Sequence, residues 1–185
     1  MKRIISGLGI LLALCSLSLA QPKEERKTLS QALDGGTRVV EGELVPAAEA
    51  MPEEKYDFAP TTGEFKGVRT FAQQAKHVAA TNYMIGAAIL GEKTPVDTNG
   101  EKGPDSLRSK ADIVKFLKDS FVYAHKATAT ITDANGLEPI PNPFAQSKTT
   151  RVGLATVFAW HSFDHYGQMV EYLRMNGIVP PASRN

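Results

Sequence analysis

The sequence predicts an all-α fold, a four-helix bundle that follows a cleaved signal peptide. Four segments carry apolar residues at three- and four-residue steps, glycine and proline punctuate the stretches between them, and no period-two alternation of useful length occurs. Four helices in one domain bury their apolar stripes by packing as a bundle.

Residues 1–20 read as the signal. Lys2 and Arg3 form a positive start, Ile4 to Cys15 is apolar apart from Ser6, and Ser18-Leu19-Ala20 places small residues before the cut. The apolar run is shorter than the roughly 20 residues that span a bilayer, so a membrane anchor is the weaker reading. A lipoprotein is disfavoured too, because Leu14 stands where the residue before a lipidated cysteine is small. Residues 21–28 form a polar leader, and the bundle is expected over 29–181.

The first helix is expected from Leu29 to Met51, with Leu29, Leu33, Val40, Leu44, Val45 and Ala48 on one face. It is the least secure element. Gly35-Gly36 blurs its start, and Pro46 removes a backbone donor and favours a kink. After a linker from Pro52 to Val68, Thr70 and Gln73 form a capping box for the second helix, which runs to Gly91. A loop from Glu92 to Leu107 follows. Ser109 and Asp112 open a third helix expected to continue to Asn135-Gly136. Pro139, Pro141 and Pro143 argue against regular structure in the crossover that comes next. The fourth helix spans about Thr150 to Asn176, and Gly177 and Pro180-Pro181 end it.

Composition narrows the function. The 185-residue chain has one cysteine, Cys15, which leaves with the signal, so its own thiol chemistry is excluded from the mature protein. Removing Lys2 and Arg3 from 21 basic residues leaves 19 against 20 acidic ones, a net charge near −1. That balance supplies no electrostatic footprint for nucleic acid. The remaining expectations are a small-molecule substrate of unspecified type, no stable membrane anchor after signal cleavage, and periplasmic residence in a bacterial host. A homodimer is left open. No GxGxxG, P-loop or nucleophile elbow is present.

His161 and His165 stand four residues apart on the fourth helix, so both project from one face. Leu154, Phe158, Gln168 and Tyr172 share that face, which directs the pair inward. His77, near the start of the second helix, can join them if those two helices are neighbours. Three neutral imidazoles bind one divalent ion and leave a coordination position free, which is a catalytic arrangement. Zinc and nickel suit the donors best, with manganese and iron as alternatives. The bland reading of the spacing is two satisfied core histidines. His125, on the third helix, is read as structural, with a fourth ligand or general base as its alternative. Asp164 and Gln168 flank the pair and are candidates to orient an imidazole.

Trp160-His161-Ser162-Phe163-Asp164-His165-Tyr166-Gly167-Gln168, with Tyr172-Leu173-Arg174 and Asn176 to Pro181 after it, resembles the last helix of the DinB-like (DinB/YfiT) family. Ala47 to Pro60 is similar as well, and Phe71 to Val78 resembles the segment in which that family places its first metal ligand. The resemblance extends from about Leu29 to Pro181. It implies an up-down-down-up bundle with a divalent metal on His77, His161 and His165. It further implies hydrolysis or thiol-dependent S-transfer, and a non-catalytic metal-binding or structural bundle is the alternative reading. Export weakens the thiol reading, because a reduced low-molecular-weight thiol is not in steady supply outside the cytoplasm.

Overall fold

The computed structural model describes residues 26–184. The expected signal peptide and the first part of the leader lie outside the described residues. Four helices make up the fold: α1 (Leu29–Ala50), α2 (Phe71–Leu90), α3 (Lys110–Ala129) and α4 (Arg151–Met175). A two-stranded ribbon, β1 (Pro139–Pro141) and β2 (Lys148–Thr150), lies between α3 and α4.

The helix starts are written in side-chain chemistry. Thr70 and Gln73 form the expected capping box on α2, Ser109 caps α3 through the Asp112 N–H, and Thr150 caps α4 through the Gly153 N–H. A further capping box, Thr28 with Gln31, starts α1 and resolves the doubt raised by the two glycines. The helix then runs unbroken through Gly35-Gly36 and Pro46. Gly91, at φ 71°, closes α2 in the left-handed conformation expected of it.

Two expectations need correction. The third helix ends at Ala129, well short of Asn135. There Asn135 folds back on the chain, accepting from the Thr132 N–H at 2.8 Å and donating to the Thr130 carbonyl at 3.0 Å. These local side-chain bonds compete with further helical turns. The proline-bearing crossover also holds a strand pair, with Pro139, Ile140 and Pro141 opposite Thr150, Thr149 and Lys148. The prolines alternate about Ile140, as prolines can on a short edge ribbon.

Contacts fix the bundle's topology. Leu29 and Val152, near the starts of α1 and α4, meet at Gly136, and Gly36 faces Ala159 one stretch further on, so α1 and α4 run parallel. Asn82 bonds Ser120 and Gly86 touches Tyr123, so α2 and α3 are parallel to each other. His125 reaches Asp34 and Glu41 while Lys118 reaches Glu49, which makes α3 antiparallel to α1. The order is therefore up-down-down-up, with α2 flanked by α3 and α4.

The core divides into two apolar clusters. One gathers Leu44, Met51, Phe71, Leu117, Phe121, Met169 and Leu173, and the other gathers Ile85, Ile89, Ile131, Leu154 and Phe158. Along α4 the residues between Phe158 and Met169 include buried Ser162 and His165, and along α2 those before Ile85 include buried His77, Thr81 and Asn82. The polar side chains of the site thus interrupt the apolar stripes at one level of the bundle.

Candidate metal centre

His77 sits in the second turn of α2, and His161 and His165 sit mid-way along the antiparallel neighbour α4. The three imidazoles meet. Nε2 of His161 lies 3.1 Å from Nε2 of His77 and 3.2 Å from Nε2 of His165. Two metal–nitrogen bonds of tetrahedral zinc place their donors about 3.3 Å apart, so these separations suit one ion.

The opposite ring nitrogens explain why the Nε2 lone pairs point inward. His77 donates from Nδ1 to the Glu101 carbonyl at 2.6 Å. His165 donates from Nδ1 to Oε1 of Gln74 at 2.6 Å. A carbonyl oxygen only accepts, so Nδ1 carries the proton in both rings and Nε2 is left as a bare donor atom. Only His161 could then offer a proton to its neighbours, one proton for two acceptors, and its own Nδ1 is buried without a partner. A cation satisfies all three Nε2 lone pairs, which a hydrogen-bonded histidine cluster does not, while His161 Nδ1 lacks a partner in either case. The donor set therefore fits a divalent metal.

Electrostatics favour the neutral rings a metal needs. Burial lowers the pKa of all three, holding His77 below its ordinary value, His161 at about 4 and His165 at about 3. Mutual repulsion among the imidazoles adds to the effect at His161 and His165, and the nearby Arg69 guanidinium adds to it at each ring.

Three residues that the sequence did not single out complete the surroundings. Gln74 is buried, holds His165, and donates from Nε2 to Oε1 of Gln168 at 2.8 Å. Gln168 in turn donates to the Asp164 carboxylate at 3.3 Å. Gln168 and Asp164 therefore brace the amide that orients His165, and neither touches an imidazole directly. The legible signal for Gln74 was its position three residues before His77, a polar side chain on the same helix face.

Glu101 arrives from the α2–α3 loop. Asn99 and Gly100 both adopt positive φ, and the Asn99 N–H is held by the Asp97 side chain at 2.8 Å. Gly103, also at positive φ, passes so close to Lys76 that a Cβ would meet its backbone oxygen at 3.1 Å. This approach sets the Glu101 carbonyl against His77. Arg69, the third, precedes the α2 cap and bears on the site through its charge alone.

His125 joins a different pair of helices. Its Nδ1 meets Asp34 at 2.5 Å and its Nε2 meets Glu41 at 2.9 Å, bridging α3 to α1. Both nitrogens are engaged by carboxylates, in keeping with the structural reading. Among the described residues, the one group of histidines, cysteines or carboxylates arranged to hold an ion is His77, His161 and His165.

The fold is a four-helix bundle, and its three convergent imidazoles form a cluster of a kind that can hold a metal ion. Residues 37–169 match the DinB superfamily model, and the chain belongs to that superfamily. Its fold is similar to that of YfiT from Bacillus subtilis, described as a probable metal-dependent hydrolase with an unusual four-helix bundle topology. The TM-score is 0.58 at 20% identity, over 85% of this chain and 94% of that one. No curated protein matches the chain by sequence.

Proposed function

We propose that the protein is an exported metal-dependent hydrolase that holds one divalent ion, zinc or nickel foremost, on Nε2 of His77, His161 and His165. The convergence of three Nε2 atoms, with the Nδ1 protons of His77 and His165 committed elsewhere, carries this reading. When bound, a divalent ion supplies Lewis acidity that polarises a carbonyl or a water. The chain's own part is to fix the ligands, to exclude bulk water from buried His77 and His165, and to offer Glu101 as a proton acceptor. Glu101 lines the same hollow as His161. The description of YfiT as a probable metal-dependent hydrolase supports the hydrolytic reading.

Export rests on the signal-like residues 1–20, and N-terminal sequencing of protein recovered outside the cytoplasm tests it. A start at Gln21 is the expected result. Among the described residues, no helix is long and apolar enough to cross a membrane.

Elemental analysis of untagged protein, beside a His77→Ala, His161→Ala double variant, tests the metal centre. Near-stoichiometric metal in the native chain and its loss from the variant are expected. A native chain that takes up neither zinc nor nickel would refute the reading.

A further inference from the structure

Two hollows flank the centre, and their chemistry differs. One, of about 510 Å³, is bordered by Arg69, Lys76, Lys102 and Asp105 beside Gln74 and Gln168, and no histidine lines it. The other, of about 360 Å³, has His161 in its wall with Thr81, Glu101, Phe144, Val157 and Trp160. A pocket of roughly 300 to 1,000 Å³ is the usual size for a small ligand. Only the second gives a bound molecule access to a metal-ligand residue.

We propose that this second hollow is the substrate site and that it selects an uncharged molecule with an aromatic or branched apolar group beside its reacting carbonyl. The inference rests on the metal-centre reading and adds the substrate class to it. Three observations support it. Apart from His161, Glu101 is the one ionisable residue lining the hollow, so away from the ion a second negative charge meets an acidic residue and no basic one. Trp160 and Phe144 are exposed to 59% and 39%, large apolar faces left uncovered at the mouth of a hollow beside the centre. Phe144 is held in place, since its N–H bonds Asn142 at 2.9 Å and the Asn142 N–H bonds Ser147 at 3.0 Å.

This gives the crossover ribbon a purpose. β1 and β2 fix the turn that carries Asn142 and Phe144, so a segment remote from the ligands in sequence shapes what reaches them.

Hydroxamates test the idea, because they bind metal through one end and carry a chosen group at the other. In zinc-loaded protein, calorimetry is expected to show benzohydroxamate binding roughly 10- to 100-fold tighter than acetohydroxamate, the gain from burying a phenyl ring. Trp160, the sole tryptophan, should change its fluorescence as benzohydroxamate binds. The preference should collapse in a Trp160→Ala, Phe144→Ala variant, whose exposed positions leave the core intact. A 4-carboxylated benzohydroxamate should bind more weakly than the plain one, and Glu101→Gln should narrow that gap while keeping the backbone carbonyl that holds His77.

An unchanged preference in the double variant, or equal binding of the carboxylated probe by the native chain, overturns the substrate class while leaving the metal centre standing. Failure of elemental analysis to find zinc overturns the centre and the substrate class together.

Discussion

His165 donates its Nδ1 proton to Gln74 across 2.6 Å, joining α4 to α2 between residues 91 positions apart. Replacing Gln74 by Ala leaves that buried N–H without an acceptor, which costs about 1–3 kcal/mol in the metal-free protein. It also releases the ring, so zinc affinity measured by chelator competition should fall roughly 10- to 100-fold. Gln74→Glu retains an acceptor at the same reach and should keep most of the affinity. Equal losses in both variants would show that the hydrogen bond is not what orients His165.

Gly103 decides where Glu101 sits. A Cβ there would meet Lys76 Cβ at 3.0 Å on a backbone already at positive φ. Gly103→Ala should destabilise the protein by about 1–3 kcal/mol, the strain of a left-handed residue without room. Zinc affinity should fall as well, because the loop carries the carbonyl that fixes His77. Unchanged affinity with reduced stability would separate the loop from the centre.

The His125 bridge gives a contrasting case. His125, Asp34 and Glu41 are each partly exposed, so His125→Ala should cost only about 1 kcal/mol in chemical denaturation. Metal stoichiometry should stay as in the native chain. A variant that loses its metal would instead assign His125 to the centre.

Acid should destabilise the metal-free protein through the same buried rings. Their folded pKa values lie below the ordinary 6.5, at about 4 for His161 and about 3 for His165. As pH falls below 6.5 the unfolded chain takes up protons first. Stability is therefore whole above that pH and is lost as pH falls towards about 4 and then 3. Melting temperatures of metal-free protein across this range should decline, and a His161→Ala, His165→Ala variant should decline less. Parallel slopes in the two proteins would place the acid sensitivity elsewhere.

Much of this molecule was legible before its structure. Ser109, Thr70 with Gln73, and Gly91 mark helix ends through bonds to residues a few positions away, so local chemistry suffices to read them. Pairing of His161 with His165 follows in the same way from helical pitch. The end of α3 is not legible in the sequence, because Thr132 and Asn135 offer the backbone local bonds that compete with the apolar period through Ile131. The ribbon is not legible either, because three-residue strands carry too little pattern to register, and prolines argue against strand in all but edge positions.

By itself the sequence determined four amphipathic helices, the starting caps of α2 and α3, an inward-facing histidine pair and His77 as its prospective third member. Tertiary structure decided that α2 and α4 are antiparallel neighbours, which brings His77 within 3.1 Å of His161. It also decided that Gln74 and the Glu101 carbonyl hold the rings, and that Phe144 and Trp160 border the approach to them. The division has a physical cause. Helix periodicity and capping act over three or four residues and are written in the chain, whereas a metal site needs donors from separate helices at fixed separations, and only the packing of the apolar faces sets those.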